Sequence, residues 1–304
     1  MALLTDLMEG VVVRFGTDFP GMGKVELCPE DKLPRLQRKS GAMLIEQARN
    51  PNEVGLYLPH NLLVAGTKPA TLAQCEPEPH GVTPGGMELM DHQRRAVTLV
   101  RLTQREDAGI LVGADIGVGK TVVALHALWL DGYLGRTGII CGPLATRETW
   151  CAENSDARRQ YGLHIEPLEG TEVYPNMLEP DRWYFVHFDV LDYWQSELFR
   201  IRPASLIIDE SHQLCNPRSR RHRAAKNLSM SNCIERRVLL SGSPMPKDRL
   251  DLYGQLAVAQ PLQWGSWVDF GIDYANGHKE EHAEGEAHWV FDGQTRTEEL
   301  KART

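Results

Sequence analysis

The chain has 304 residues, of which 42% are hydrophobic, and a formal net charge of −8. That composition supports one good core with room for a second and excludes large-scale disorder. The negative balance excludes a protein that coats nucleic acid through overall charge, so any polyanion must meet a local basic face. No run approaches the ~18 apolar residues of a membrane span. Asp6 and Glu9 break the apolar N-terminus, which therefore does not read as a signal peptide. The six cysteines fall at irregular spacings without a Cys-x-x-Cys pair, which speaks for reduced packing thiols in an intracellular, non-secreted protein rather than a zinc site or a disulfide framework.

In chain order, residues 1 to about 80 carry Val11-Val12-Val13-Arg14-Phe15, a Gly/Pro turn, a basic stretch (Lys32, Arg35, Arg38, Lys39) and an apolar patch at Gly55-Leu56-Tyr57-Leu58. Short strands joined by turns fit this pattern, so a small β-rich or α+β module of underived role is expected. Gly21-Met22-Gly23-Lys24 mimics a nucleotide loop but lacks a following Ser/Thr and an apolar helix, and reads as a turn. The basic stretch reads as solvated surface. Pro77, Pro79, Pro84, Gly85 and Gly86 mark a linker. The expected division is an accessory module over 1–80, a larger lobe over 86–260, and a terminal segment over 261–304.

Beyond the linker the pattern alternates. Strand-like runs fall at Ile110 to Gly113, Gly138 to Cys141, Trp183 to His187, Ser205 to Asp209 and Arg237 to Ser241. Helix-like stretches fall at Thr121 to Leu130, Ala145 to Gln160, Val190 to Phe199, Ser219 to Leu228 and Arg249 to Ala259. Alternation of this kind predicts an α/β unit with a mostly parallel sheet and helices on both faces. Ligands of such sheets sit at the carboxyl ends of the strands.

Three of those ends carry chemistry. Ala114-Asp115-Ile116-Gly117-Val118-Gly119-Lys120-Thr121 joins an apolar strand to an apolar helix, the context a Walker A loop requires. Its glycines, Gly117 and Gly119, let backbone N–H groups approach phosphates, Lys120 can reach the terminal phosphates, and Thr121 can offer its hydroxyl to Mg²⁺. Leu206-Ile207-Ile208 ends in Asp209 and Glu210, the acids that would hold the metal and polarise an attacking water. Leu239-Leu240 ends in Ser241-Gly242-Ser243-Pro244. Arg218, Arg220, Arg221, Arg223 and Lys226 follow the acids and, on a helix, form a basic surface suited to phosphates or simply a solvated face.

Taken together, these segments resemble the first RecA-like lobe of the superfamily-two helicase-like ATPases, and within them the Swi/Snf type of DNA translocase. Leu89-Met90-Asp91-His92-Gln93 is similar to the family's Q-type segment, which makes Gln93 the expected adenine reader. Ala114 to Thr121 is similar to motif I, where an alanine in first position is usual. Ile139-Ile140-Cys141-Gly142-Pro143-Leu144 with Trp150 resembles motif Ia, which contacts the DNA backbone. Asp209-Glu210-Ser211-His212 resembles the DEAH box, Asn216-Pro217-Arg218-Ser219 the Asn-x-x-Ser tail of Swi/Snf proteins, and Ser241 to Pro244 the Thr-Gly-Thr-Pro segment. Phe270 to Tyr274, Phe291-Asp292-Gly293 and Glu298-Glu299-Leu300 look like the connector of the annealing-helicase (HARP-like) branch.

The resemblance implies a DNA-dependent ATPase that uses ATP and Mg²⁺ and tracks double-stranded DNA. Lys120, Asp209 and Glu210 would be catalytic. Gln93, Asp115, Gly117, Gly119, Lys120 and Thr121 would hold the nucleotide, and Thr121 and Asp209 the metal. His212, Ser241 and Ser243 would couple nucleotide state to DNA, and Arg218, Arg220, Arg221 and Arg223 would meet the nucleic acid. Motifs IV to VI with their arginine finger lie outside these 304 residues, so the expectation is a lobe that turns ATP over weakly unless a second lobe joins it. Two other readings share the ATP site. One is a nucleotide-binding interaction module with little turnover of its own, the other an RNA-directed helicase, against which the Asn-x-x-Ser tail weighs. A small-molecule kinase or GTPase is disfavoured, since no Asn-Lys-x-Asp segment occurs.

Overall fold

The computed structural model describes residues 75–105, 109–281 and 287–297 and Leu300, together with the backbone of four strands nearer the N-terminus. The chain divides into two compact units, one of residues 70–261 and one of residues 1–69 with 262–304.

The unit of residues 70–261 is built on six strands: β5 (Ile110–Gly113), β6 (Gly138–Gly142), β7 (Ile165–Leu168), β8 (Trp183–His187), β9 (Ser205–Ile208) and β10 (Arg236–Ser241). They lie in the order β5-β10-β9-β6-β8-β7, and every pairing is parallel. Four of the six are β-branched or aromatic apolar runs, as a sheet covered on both faces demands. Alternate residues feed opposite faces. Ile139, Cys141, Tyr184, Val186, Leu206, Ile208 and Leu239 enter one core, while Ile140, Trp183, Phe185, Ile207, Val238 and Leu240 enter the other.

The first core is roofed by helices α5 (Leu191–Arg200), α6 (Arg220–Ser229) and α7 (Asp251–Ala259), the second by α1 (Asp91–Arg105) and α2 (Lys120–Leu130) with the short α3 (Arg147–Cys151) and α4 (Asp156–Tyr161). Helix α2 buries Val122 through Leu128 without a break, the mark of a helix enclosed on all sides. Among the described residues no helix is long and apolar enough to cross a membrane.

Three sequence expectations change here. The single helix expected over Ala145 to Gln160 is a 3₁₀ turn followed by α3 and α4, because Ala152 turns extended and Ser155 starts a new helix by accepting from the Arg158 N–H at 3.2 Å. Strand β7 was not expected at all. Its Ile-Glu-Pro-Leu run buries only the two ends, and Pro167 is tolerated because β7 is the sheet's edge. The Pro/Gly segment expected as a linker packs on the lobe instead. Thr83 Oγ1 donates to Gln160 Oε1 at 2.8 Å, the Gly85 N–H to the Gln160 carbonyl at 2.8 Å, and Arg101 of α1 bridges Glu78 and Asp131.

In the other unit, β1 (Val12–Arg14), β2 (Met22–Leu27), β3 (Met43–Gln47) and β4 (Asn50–Pro59) form an antiparallel sheet in the order β1-β2-β4-β3. Met22, Gly23 and Lys24, expected in a turn, pair with Pro59, Leu58 and Tyr57 of β4; ladder pairing overrides the local glycine preference. The basic stretch at 32–39 lies outside the described residues. Helix α8 (Trp267–Tyr274) starts with a capping box from Ser266 and Asp269. It precedes the hairpin of β11 (Gly277–Glu281) and β12 (Ala287–Phe291). A side chain at Gly271 would lie 2.2 Å from the Phe291 ring, which is why glycine stands there.

Candidate nucleotide-binding site

The sheet order decides which strand ends meet. After β5 the chain crosses to β6, moves outward through β7 and β8, and returns to insert β9 and β10 between β6 and β5. This puts the topological switch at the carboxyl ends of β5, β10 and β9. Residues 114–121, 241–244 and 209–212 are therefore neighbours.

The loop after β5 is shaped by Gly117 (φ 86°) and Gly119 (φ 87°), left-handed conformations that glycine adopts without strain. Gly119 is also the N-cap of α2, and a Cβ there would stand 2.3 Å from Gln93 Nε2. Gln93 is buried at the start of α1. Its Nε2 donates to the Val118 carbonyl at 3.0 Å, and its Oε1 accepts from the Met90 N–H at 3.0 Å. Gln93 thus ties the nucleotide-type loop to α1. Lys120 Nζ donates to the Ala114 and Asp115 carbonyls at 2.8 and 3.0 Å, which holds its ammonium inside the loop. Asp115 is exposed, and Ile116 is 88% exposed at the loop's tip.

The acids follow β9. The Asp209 N–H donates to the Cys141 carbonyl at 2.7 Å, and its carboxylate, 8% exposed, accepts from Trp150 Nε1 at 2.9 Å and from the Glu210 N–H at 3.0 Å. Burial raises its pKa above the usual carboxylate range, opposed by the Trp150 hydrogen bond, with the neighbouring Glu210 charge adding to the rise. Glu210 is left-handed at φ 49°, which turns the chain sharply at the strand's end. The 3₁₀ turn Ser211–Leu214 follows.

His212 Nδ1 stands 3.2 Å from Glu210 Oε2 and 3.3 Å from Ser241 Oγ. Ser241 Oγ also accepts from the Ser243 N–H at 3.1 Å, and the Ser241 carbonyl accepts from the Ala114 N–H at 3.1 Å. A Cβ at Gly242 would come within 3.2 Å of Ile116 Cγ1 and 3.9 Å of Lys120 Nζ. The loop, the acids and the two serines are thereby one continuous network. The sequence-predicted residues Gln93, Gly119, Lys120, Asp209, Glu210, His212, Ser241 and Ser243 all belong to it.

Sequence reasoning missed the role of two residues of this network. Gln255 of α7 has no exposed surface. It accepts from Ser211 Oγ at 2.8 Å and donates from Nε2 to the Pro244 carbonyl at 2.6 Å, joining the acid turn to the serine loop. Trp150, which follows the motif Ia-like segment, is buried against Asp209. A glutamine amid the apolar run of α7 was the available hint of the first; nothing local hinted at the second.

The arginine cluster lies apart from this network. Asn216 Oδ1 accepts from the Arg218 N–H at 3.0 Å, and Ser219 Oγ accepts from the His222 N–H at 3.1 Å. The Asn-x-x-Ser segment is therefore a turn followed by a helix cap. Arg218 and Arg223 are exposed. Arg220 makes a two-pronged ion pair with Asp192 and stacks 4.7 Å from the Tyr193 ring, and Arg221 reaches Asp189 at 2.7 Å. Acids of the Asp189–Asp192 segment thus face half of the expected basic surface. Burial also raises the thiols of Cys75 and Cys141 and pushes Cys151 to about 11 and Cys215 to about 12, so these cysteines stay protonated packing groups.

The donors on offer fit Mg²⁺ bound together with a nucleotide. Thr121 supplies one hydroxyl and Asp209 one carboxylate, hard oxygens of the kind that a magnesium shell completed by phosphates and water takes from protein.

Comparison with known proteins agrees with this layout. A family model described as "SNF2-related domain" matches residues 92–288. The SWI/SNF-related matrix-associated actin-dependent regulator of chromatin subfamily A-like protein 1 of Xenopus tropicalis is 28% identical over 224 residues, 71% of this chain and 21% of that protein. The Zorya protein ZorD of Escherichia coli is 24% identical over 220 residues, 62% of this chain and 20% of that protein. The chain spans about a fifth of the length of these relatives. The Sulfolobus solfataricus SWI2/SNF2 ATPase core domain superposes with a TM-score of 0.53 at 20% identity, covering 70% of this chain and 41% of that one, and the same core solved with dsDNA gives 0.50.

Proposed function

The chain belongs to the SNF2-related domain family, and on that premise we propose that it is the RecA-like ATP-binding lobe of a DNA-dependent ATPase that tracks double-stranded DNA. One observation carries the reading: the order β5-β10-β9 brings the Lys120 loop, the Asp209–Glu210 pair and Ser241 to one end of the sheet. In this reading Lys120 and the backbone N–H groups of its loop hold the phosphates, and Gln93 stands at the adenine. Thr121 and Asp209 hold Mg²⁺, which supplies charge neutralisation between the phosphates. Glu210 orients the attacking water and takes its proton. His212, 3.2 Å from the Glu210 carboxylate and 3.3 Å from Ser241 Oγ, relays the position of the acid to the serine loop.

The Sulfolobus core bound to dsDNA supports duplex DNA as the polymer. Arg218 and Arg223, exposed and in no ion pair among the described residues, are the first candidates to meet it, with Arg220 and Arg221 available where a phosphate outcompetes Asp192 and Asp189. The test is ATP turnover by the chain with and without duplex DNA, repeated with RNA and with a second lobe supplied in trans. Turnover stimulated by duplex and lost in Lys120→Ala is expected. Turnover that no duplex and no added lobe elicits would leave a nucleotide-binding module in its place.

A further inference from the structure

We infer that Trp150 is a positioning residue for Asp209, whose indole N–H fixes the carboxylate in the orientation that receives Mg²⁺; the inference rests on the metal role given to Asp209 above. Trp150 is 1% exposed in α3, so its N–H has no water to turn to. The group it meets is the Asp209 Oδ2 at 2.9 Å. The other oxygen, Oδ1, accepts from the Glu210 N–H at 3.0 Å. Donors thus reach both carboxylate oxygens, and the Thr146 hydroxyl beside them adds to the stabilisation of the charged form.

The chain is built to bring Trp150 there. At the end of β6 the Cys141 carbonyl accepts the Asp209 N–H, and at Gly142 a Cβ would press within 2.9 Å of Thr146 Oγ1 and 3.3 Å of Asp209 Cβ. A side chain there would push on both Thr146 and Asp209, so glycine lets residues 143–150 close over the acid without displacement. Thr146 Oγ1 donates to the Pro143 carbonyl at 3.0 Å, which tightens that turn and sets the start of α3. Partners that orient a metal-binding carboxylate typically change metal affinity about 10–100-fold when removed.

The test measures affinity for a fluorescent ATP analogue as Mg²⁺ is titrated, and again in EDTA, for the wild-type chain, Trp150→Phe and Asp209→Asn. Phenylalanine keeps a buried ring and deletes the donor. For Trp150→Phe the expected result is a Mg²⁺ half-saturation point raised about tenfold with EDTA affinity unchanged. For Asp209→Asn the Mg²⁺ response should be larger still. If Asp209→Asn shifts and Trp150→Phe titrates as wild type, the positioning role is overturned; equal loss with and without Mg²⁺ in Trp150→Phe overturns it too. If Asp209→Asn leaves the Mg²⁺ response intact, the metal assignment itself fails. Should Trp150→Phe not fold, ¹⁵N labelling of the seven tryptophans carries the same question. One indole N–H resonance, displaced in Asp209→Asn, should move when Mg²⁺ joins the nucleotide, and the absence of such a resonance overturns the inference.

Discussion

The acid-bearing turn at residues 209–215 and the arginine-bearing segment at 218–223 are separated only by Asn216 and Pro217, yet one is held from inside and the other from outside. Asp209 and Ser211 are fixed by Trp150 and Gln255, partners with almost no exposed surface. Arg220 and Arg221 are fixed by Asp192 and Asp189, partners that share solvent with them. A buried hydrogen bond to a carboxylate has no water to exchange with, whereas an exposed ion pair is screened and readily traded for another anion. The acid turn is therefore a place of fixed geometry, and the arginine segment a place of exchangeable partners.

Four predictions would break or sharpen that contrast. The largest effect is expected for Glu210→Gln. Nucleotide affinity should stay near wild type while turnover falls by about two to four orders of magnitude; binding lost in proportion would show that Glu210 holds nucleotide rather than water.

The second concerns the helix that carries both kinds of contact. His222 lies on the inner face of α6, and burial pushes its pKa down to about 4, with the Lys226 charge adding to the fall. The backbone of Gly254 and Pro217 offsets part of this, although neither ring nitrogen completes a hydrogen bond. A depressed histidine binds fewer protons folded than unfolded, so stability is full above the unfolded pKa of about 6.5 and declines as pH falls toward 4. The loss amounts to about 3 kcal/mol across that window. Urea midpoints at a series of pH values should show this slope, and His222→Gln should flatten it; an unchanged slope would place the titration elsewhere.

Third, Gln255→Leu should cost about 1–3 kcal/mol, because the buried Ser211 hydroxyl loses its acceptor. Adding Ser211→Ala should recover part of that loss in a double-mutant cycle, since the stranded donor is then gone. Strict additivity would mean the two side chains do not act as a pair.

The smallest effect on folding is expected at the surface. Arg220→Gln should leave the thermal midpoint unmoved. If that arginine trades Asp192 for a phosphate, the salt dependence of DNA binding should flatten by about one unit of log-log slope. Asp192→Asn, which frees the same arginine, should tighten binding at low salt. No change in either variant would leave Arg220 as a purely internal contact of the surface.

Much of this was legible in the sequence for physical reasons. The strands at 110–113, 138–142, 183–187, 205–208 and 236–241 are apolar runs flanked by turn residues, and a doubly covered parallel sheet requires just such runs. The loop 114–121 and the acids at 209–210 stand out because their chemistry is tied to fixed spacing along the chain. What stayed hidden depended on spacing through space. Trp150 enters the sequence reading only as the residue following the motif Ia-like segment, and only the fold shows its N–H 2.9 Å from Asp209. Strand β7 escaped because an edge strand need bury only every third residue here, Ile165 and Leu168. The break between α3 and α4 escaped because Ala152 and Glu153 favour helix by propensity, while the Ser155 cap and the path back to the sheet require a turn.

Glu210 holds a left-handed backbone, φ 49°, at the hinge between strand and turn. For a residue with a Cβ that conformation costs about 1–2 kcal/mol, and glycine or asparagine would sit there more comfortably. Selection for folding alone would drift toward those residues, and a consensus-style stabilisation of this chain would be tempted to install one. A Glu210→Gly chain should melt higher than the natural one and hydrolyse nothing.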